Sequence, residues 1–307
     1  MTLGGDWFGQ EMRCLRRLVR RGWRASERLM LPAVVMPSGA SRGLAAISAL
    51  SVDLPAGRLV HGNEGSEDLP ALWVSEAPAT AQLWVDLRRA HRHSGLWPLL
   101  LDSLHGDDRR PWDDGELWPA DVSRPSAFDP EELLARWWSQ YTETHGDDNL
   151  SAQERVAVTA PFGRQWPGLA AAAAARHDLG AYADQCAAEL LAGNPRLRLG
   201  LVAADRPCDA ITVAGWQGAV NYTNDTAELS AVLRSWETRF GAVVVGAGFA
   251  ELYLSIAAPP TTIDHAVSVA AEHFAFCPDN IWQGPSPGLT AYAERLVDTP
   301  LWSFWWD

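Results

Sequence analysis

The stretch that decides the fold of the second half of the chain is residues 225–245, which read DTAELSAVLRSWETRFGAVVV. Asp225 and Glu228 have the spacing of a capping box, in which side chains bond the free backbone N–H groups at a helix start. The apolar residues behind them recur at helical spacing: Leu229, Val232, Leu233, Trp236 and Phe240. Gly241 is typical of a helix end. The pattern therefore predicts a helix that leads into a buried strand at 243–245.

Similar helix and strand patterns occur along the rest of the chain. We predict strands at 58–60, 72–75, 96–101, 199–203, 210–214, 243–245 and 251–256. We predict helices at 79–91, 129 to about 145, 181–192, 225–240, 262–275 and 289–297. The expected fold is α+β, with two lobes whose mixed β-sheets are packed by amphipathic helices. Its predicted parts are a basic N-terminal arm (1–29), an α/β lobe (45–145), a linker (146–170) and a C-terminal α+β domain (171–307).

Composition excludes several kinds of chemistry. The chain has 16 Trp and no Lys, so all 25 basic residues are Arg. Without Lys there is no P-loop phosphate clamp, no Schiff base and no Ser-x-x-Lys acylase. The sequence also predicts no cofactor and no metal site, because the four cysteines are far apart and no metal-spaced His and carboxylate set is present.

Charge is unevenly distributed along the chain. Residues 1–29 carry seven Arg and three acids, a net charge of +4, whereas the remaining residues carry 18 Arg and 35 acids, a net charge of −17. An acidic body argues against nucleic acid and would suit a cationic protein partner, although acidity also serves solubility. With no run of 18 apolar residues and no disulfide framework, we expect a cytoplasmic protein that does not enter a membrane.

Several long sequence words resemble the actinobacterial members of the domain of unknown function 4253 family. The words are Asn221 to Glu228, Leu233 to Glu237, Ala258 to Thr262, His273 to Gly284 and the Trp-rich end from Trp302. The close resemblance covers roughly residues 196–307. It implies a domain boundary, but no activity, because the family has no established one.

The densest group of chemically distinctive residues lies in this C-terminal part. His273, Cys277 and Asp279 are the catalytic candidates, since a His beside a Cys can activate a thiolate. Candidates for ligand binding are Trp216, Asn221, Asn224, Asn280, Trp282 and Gln283. Each also has a structural interpretation, as packed core or as a turn former. A nucleophile-elbow pattern, Gly39-Ala40-Ser41-Arg42-Gly43, and the acidic loop at 105–125 are weaker candidates, the latter for a divalent cation.

Three hypotheses for function follow. The first is a non-catalytic, immunity-type or regulatory protein whose acidic, Trp-rich surface engages another protein. The second is a small-molecule enzyme or ligand-binding domain with a pocket around His273, Asn221 and Trp282. In the third, the distinctive C-terminal residues are purely structural.

The abrupt change of charge after residue 29 predicts that the fold does not depend on the basic arm. A chain that begins at Met30 is expected to fold with unchanged stability, because composition and resemblance both place the core later. Urea unfolding of the two chains measures the difference. A loss of more than about 1 kcal/mol would show that the arm is part of the core.

Overall fold

One mixed sheet organises the computed structural model, which describes residues 43–63, 70–120, 122–143, 151–174, 178–284 and 287–307. Its strands are β1 (Gly57–His61), β2 (Pro70–Pro78), β3 (Leu96–Leu101), β4 (Arg198–Ala203), β5 (Ala242–Ala247), β6 (Glu251–Ile256) and β7 (Leu301–Trp305). Their order is β1-β2-β4-β3-β5-β6-β7. Neighbouring strands are antiparallel except β3 and β5, which are parallel.

The helices fall between these strands along the chain. They are α1 (Ala81–Ser94), α2 (Pro130–Thr142), α3 (Ala152–Val158), α4 (Leu179–Gly193), α5 (Ala210–Ala214), α6 (Thr226–Phe240), α7 (Ile263–Phe276), α8 (Asp279–Trp282) and α9 (Leu289–Leu296). Within the described ranges, no helix is both long and apolar enough to cross a membrane. The basic arm and Ser41 of the elbow pattern lie outside the described residues.

The α+β class is confirmed, but the division into two lobes differs from the structure. Strand β4, from the predicted C-terminal domain, lies between β2 and β3 of the predicted N-terminal lobe. Residues 36–307 accordingly form one compact unit. Part of the predicted linker packs against the rest of the fold: Trp138 donates its indole N–H to the Arg164 carbonyl at 3.1 Å, and its ring lies 5.7 Å from that of Trp166. The composition of residues 146–170 predicted a boundary between two domains, but these contacts join the segment to the rest of the fold.

Side chains cap the starts of four helices. The Thr80, Asp129, Asp225 and Thr262 side chains each accept a backbone hydrogen bond at the start of α1, α2, α6 and α7. The capping box at α6 is half formed, because the Glu228 carboxylate bonds Thr223 and Arg136. Gly241 ends α6 with φ of 63°, a left-handed conformation that glycine adopts without a Cβ penalty.

The strand predicted at 210–214 is wrong: these residues form the short helix α5. A 3-10 turn at Pro207–Asp209 leads directly into it, and Gly215 ends it with φ of 67°. Periodicity cannot separate a strand from a helix in an apolar run of this length. The flanking Pro and Gly are the signals that favour the helix.

Helices cover both faces of the sheet. Cys186 of α4 contacts Ser255 of β6, whereas Trp236 of α6 stacks on Phe304 of β7, with ring centroids 5.4 Å apart. Phe304 pairs with Leu252 of β6. Since Leu252 and Ser255 are an odd number of residues apart on one strand, they point to opposite faces. Thus α4 lies on one side of the sheet and α6 on the other.

A buried ion pair fastens α6, α7 and the chain segment before α4. The Glu272 carboxylate is fully buried and accepts two hydrogen bonds from the Arg239 guanidinium, at 2.7 and 2.6 Å. It also accepts the indole N–H of Trp236 at 2.8 Å and the backbone N–H of Ala170 at 2.7 Å. The Glu272 carboxylate therefore accepts four hydrogen bonds, which compensate the cost of burying its charge.

Substitution Glu272→Gln is expected to destabilise the protein by about 3 kcal/mol, because it leaves the Arg239 charge buried without its partner. Urea unfolding measures the loss. The matched control is Glu237→Gln on α6, which breaks the more exposed pair with Arg206 and is expected to cost less than about 1 kcal/mol. If both variants lost the same free energy of unfolding, the buried Glu272 pair would not be the more stabilising of the two.

Candidate functional site

His273 lies fully buried on α7 within a cage of aromatic rings. Its ring centroid is 4.4 Å from that of Trp302, 4.8 Å from Phe304 and 5.1 Å from Trp236. Nδ1 lies 3.0 Å from the Tyr292 hydroxyl, and Nε2 is buried with no hydrogen-bond partner among the described residues. Burial lowers the pKa of His273 to about 3, so the ring is neutral at physiological pH.

Cys277 is as fully buried as His273, but its thiol contacts a different group. Helix α7 ends at Phe276, so His273 and Cys277 do not share a helix face. The thiol lies 2.9 Å from the Trp305 carbonyl, and burial holds its pKa well above the usual value. A protonated thiol in an apolar site is unreactive. These contacts give the His and Cys candidates structural roles.

Asp279 and Asn280 hold the C-terminal strand in place. The Asp279 carboxylate accepts the Tyr222 hydroxyl at 2.6 Å and the Asp307 backbone N–H at 3.0 Å, and burial raises its pKa. The Asn280 side chain accepts the backbone N–H of Trp305 at 3.0 Å and donates to the Ser303 carbonyl at 2.7 Å. Asn280 thus satisfies backbone groups at the outer edge of β7.

The remaining candidates surround the same strand without forming one site. Asn221 donates to the Asp307 carbonyl at 2.9 Å, and Gln283 donates to Asp279 at 3.0 Å. Trp216 is buried and donates its indole N–H to the Gly248 carbonyl at 2.8 Å. Trp282 is half-buried against Tyr141 and Phe274, and Asn224 is exposed. None of these residues lines either of the two cavities described for the molecule.

The tryptophans form the core rather than a surface patch. The buried ones are Trp73, Trp84, Trp97, Trp112, Trp137, Trp138, Trp216, Trp236, Trp302 and Trp306. The others that the structure describes, at 118, 166, 282 and 305, are half-buried. The expectation of a Trp-rich surface is therefore wrong for the described residues.

A charged cleft lies at the carboxyl end of β3, and the acidic loop that the sequence offered for a divalent cation contributes Asp108 and Asp113 to it. It has a volume of about 260 Å³. Four carboxylates and two guanidinium groups line it, a net formal charge of −2: Glu76, Asp102, Asp108, Asp113, Arg196 and Arg198. Pro78 and Leu104 supply apolar wall. Because β3 and β5 are parallel, their carboxyl ends meet here, at the side of a sheet where ligands commonly bind.

Ion pairs hold one wall of this cleft. Asp113 contacts both Arg58 of β1 and Arg198 of β4, the latter at 2.8 Å. At the rim, Arg196 and Asp108 are 3.9 Å apart, and their side chains are 73% and 84% exposed. The acidic loop is thus largely paired, since Asp114 and Glu116 also bond arginines. Within the described ranges no three metal-ligating side chains converge, so the divalent-cation interpretation has no support there.

Asp102 differs from the other carboxylates of the cleft. Its backbone N–H donates to the Ala247 carbonyl at 3.0 Å, which ties it to the end of β5. Its carboxylate accepts from the Ser103 backbone N–H at 2.9 Å and from the Asn194 amide at 3.2 and 3.1 Å. No ion pair among the described residues includes Asp102. Burial raises its pKa, and the neighbouring, half-buried Glu251 carboxyl also has a raised pKa.

The sequence carried one signal for this site besides the acidic loop. Asp102 directly follows the buried run Leu96–Leu101, and a polar residue at the end of a buried strand often faces a binding crevice. The other lining residues come from positions between 76 and 198, which only the strand order brings together.

Comparison with known proteins supports the family assignment of the C-terminal part. The family model described as Domain of unknown function (DUF4253) matches residues 198–307, which confirms the resemblance for this segment. The segment begins at the first residue of β4 and contributes Arg198 to the cleft. No curated protein and no solved structure shows a significant match to the chain.

The buried His273 predicts a loss of stability in acid. Its pKa is about 3 in the folded protein and about 6.5 when unfolded, so below pH 6.5 only the unfolded state takes up the proton. Its contribution to stability is complete above pH 6.5 and falls towards pH 3, by up to about 1.4 kcal/mol per pH unit. Urea unfolding between pH 7 and 4 should therefore give a flatter pH profile for His273→Leu than for the native chain.

The control is His93→Leu, which removes an exposed histidine of α1 and should keep the native profile. Identical pH profiles for the native chain and His273→Leu would contradict the neutral, buried state of His273.

Proposed function

We propose that this protein is a non-catalytic binding protein that engages a cationic group of another protein in the charged cleft at the end of β3. The observation that carries the proposal is Asp102, a partly buried carboxylate that opens on the cleft and has no ion-pair partner among the described residues. An immunity-type or regulatory role would use such a contact.

Electrostatics favours a cation at this position. Burial of an ionised carboxylate is costly unless a charge or hydrogen bonds compensate it. Ser103 and Asn194 compensate Asp102 in part as neutral donors, and the Arg196 guanidinium at the rim adds a smaller attraction. A cation within a few ångströms would favour the ionised form and offset the remaining cost. The net charge of −2 along the cleft adds to this attraction, and the net charge of −13 on the chain favours encounter with a positive partner.

The lining favours recognition over covalent chemistry. A guanidinium group does not serve as a base near neutral pH. Asp113 is committed to Arg58 and Arg198. The cleft opens at an exposed rim, where a side chain that projects from a partner can enter. The rival pocket around His273, Asn221 and Trp282 has weaker support, because the first is fully buried and the others contact the C-terminal segment and the aromatic core.

The setting we propose is a reducing cytoplasm. Cys186, Cys208 and Cys277 are free and buried thiols, which fits such a compartment. An actinobacterial source rests on the sequence resemblance alone. No nucleic acid, membrane or cofactor enters the proposal.

The test is a calorimetric titration of the full chain with a peptide that carries Lys and Arg, and with a matched peptide in which both are Glu. The basic peptide is expected to bind and the acidic one not to bind. Asp102→Asn should weaken binding by about tenfold, the free energy of one hydrogen bond to a charged group. The control Asp86→Asn, on α1 and outside the cleft, should bind as the native chain does.

Two results would contradict the proposal: no binding of the basic peptide, or the same affinity for Asp102→Asn as for the native chain. Binding through charges at the exposed rim should weaken at higher salt, whereas apolar association should not.

A further inference from the structure

The carboxylate of Asp102 has little hydrogen-bonding capacity left. An ionised carboxylate offers about four lone-pair sites, two on each oxygen. Oδ1 accepts both the Ser103 backbone N–H at 2.9 Å and the Asn194 amide at 3.2 Å. Oδ2 accepts the same amide at 3.1 Å. The contacts leave one open site, on Oδ2.

We infer that the cleft selects a primary ammonium group, as on a lysine side chain, over a guanidinium group. A guanidinium binds a carboxylate best through two parallel N–H bonds, one to each oxygen. Oδ1 of Asp102 has no site left for the second bond. An ammonium is a compact charge with three rotatable donors, so one of them can reach a single open site without a planar match. This inference rests on the proposed function, since it names the chemistry of the cation at the same cleft.

The walls of the cleft suit the stem of such a side chain. Pro78 and Leu104 are apolar lining residues, and lysine methylene groups pack against apolar surface while the charged end stays polar. A volume of about 260 Å³ is small for a drug-sized ligand and fits a single extended side chain.

The other carboxylates do not restore a guanidinium site. Asp113 already bonds Arg58 and Arg198. Glu76 and Asp108 are exposed, and exposed ion pairs contribute little free energy. Asp102, as the most desolvated acid without an ion-pair partner among the described lining residues, therefore decides which cation is preferred.

The composition of the chain gives a reason why a preference for ammonium over guanidinium would be useful. All 25 basic residues are Arg, so no side chain of this protein carries an ammonium group. A cleft that prefers ammonium would discriminate against the arginines of its own surface and of other copies of the chain. A lysine of a different protein would be recognised.

The experiment is an NMR titration of the full chain with two peptides that have blocked termini, Gly-Ser-Lys-Ser-Gly and Gly-Ser-Arg-Ser-Gly, monitored at the Ser103 and Asn194 signals. The lysine peptide is expected to bind at least about tenfold more tightly, the ratio for one charge-assisted hydrogen bond. Trimethylation of the lysine keeps the charge and removes every N–H donor, so it should abolish the preference.

A second arm uses Asn194→Ala, which frees lone pairs on both oxygens of Asp102. This variant should bind the arginine peptide more tightly and narrow the difference between the peptides. If it does not fold, the trimethylated peptide still provides the test.

The outcomes separate the two proposals. Binding of neither peptide overturns the proposed function itself. Equal binding of both peptides, lost in Asp102→Asn, keeps the proposed function and overturns ammonium selectivity. Retained affinity for the trimethylated lysine would also overturn the selectivity, because a contact with charge alone would then suffice.

Discussion

The hydrogen bonds of β3 hold the two halves of the molecule in one sheet. Strand β3 pairs with β4 on one side and with β5 on the other, and both neighbours belong to the segment that matches the DUF4253 family. Without β3 these two family strands would have no connection in the sheet. The family segment, 198–307, is therefore completed by residues that precede it. A strand whose two faces are both buried must also be strongly apolar, as Leu96–Leu101 is.

The same pairing creates the cleft. The parallel register brings Leu101 opposite Ala247, so the polar residue after β3 emerges beside the end of β5. Asp102 is held there by its backbone bond to Ala247 and by the amide of Asn194, at the end of α4. Its position is thus fixed by the sheet and by a neighbouring helix. A carboxylate fixed in this way loses little conformational entropy when it binds, which favours recognition.

Local chemistry made much of the fold predictable. Helices α2 and α7 begin where Asp129 and Thr262 can cap them, because a cap depends only on residues a few positions away. Strand order has no such local signal, and the insertion of β4 between β2 and β3 could not be derived from the sequence. The cleft depends on that order, so the sequence offered Asp102 only as the end of a buried strand. The prediction for α5 was wrong because a five-residue, mostly apolar segment fits either period.

The distinctive residues of the C-terminal part cover an open edge of the sheet. Strand β7 lies at the edge of the sheet, and an open edge invites pairing with other chains. Asn280 and Cys277 contact the backbone of Ser303 and Trp305, so this edge is satisfied by side chains. An Asn and a Cys are used because each is small and polar enough to reach a backbone group from a tight turn. These side chains therefore cover the edge, and a partner that added a strand to β7 would first have to displace them.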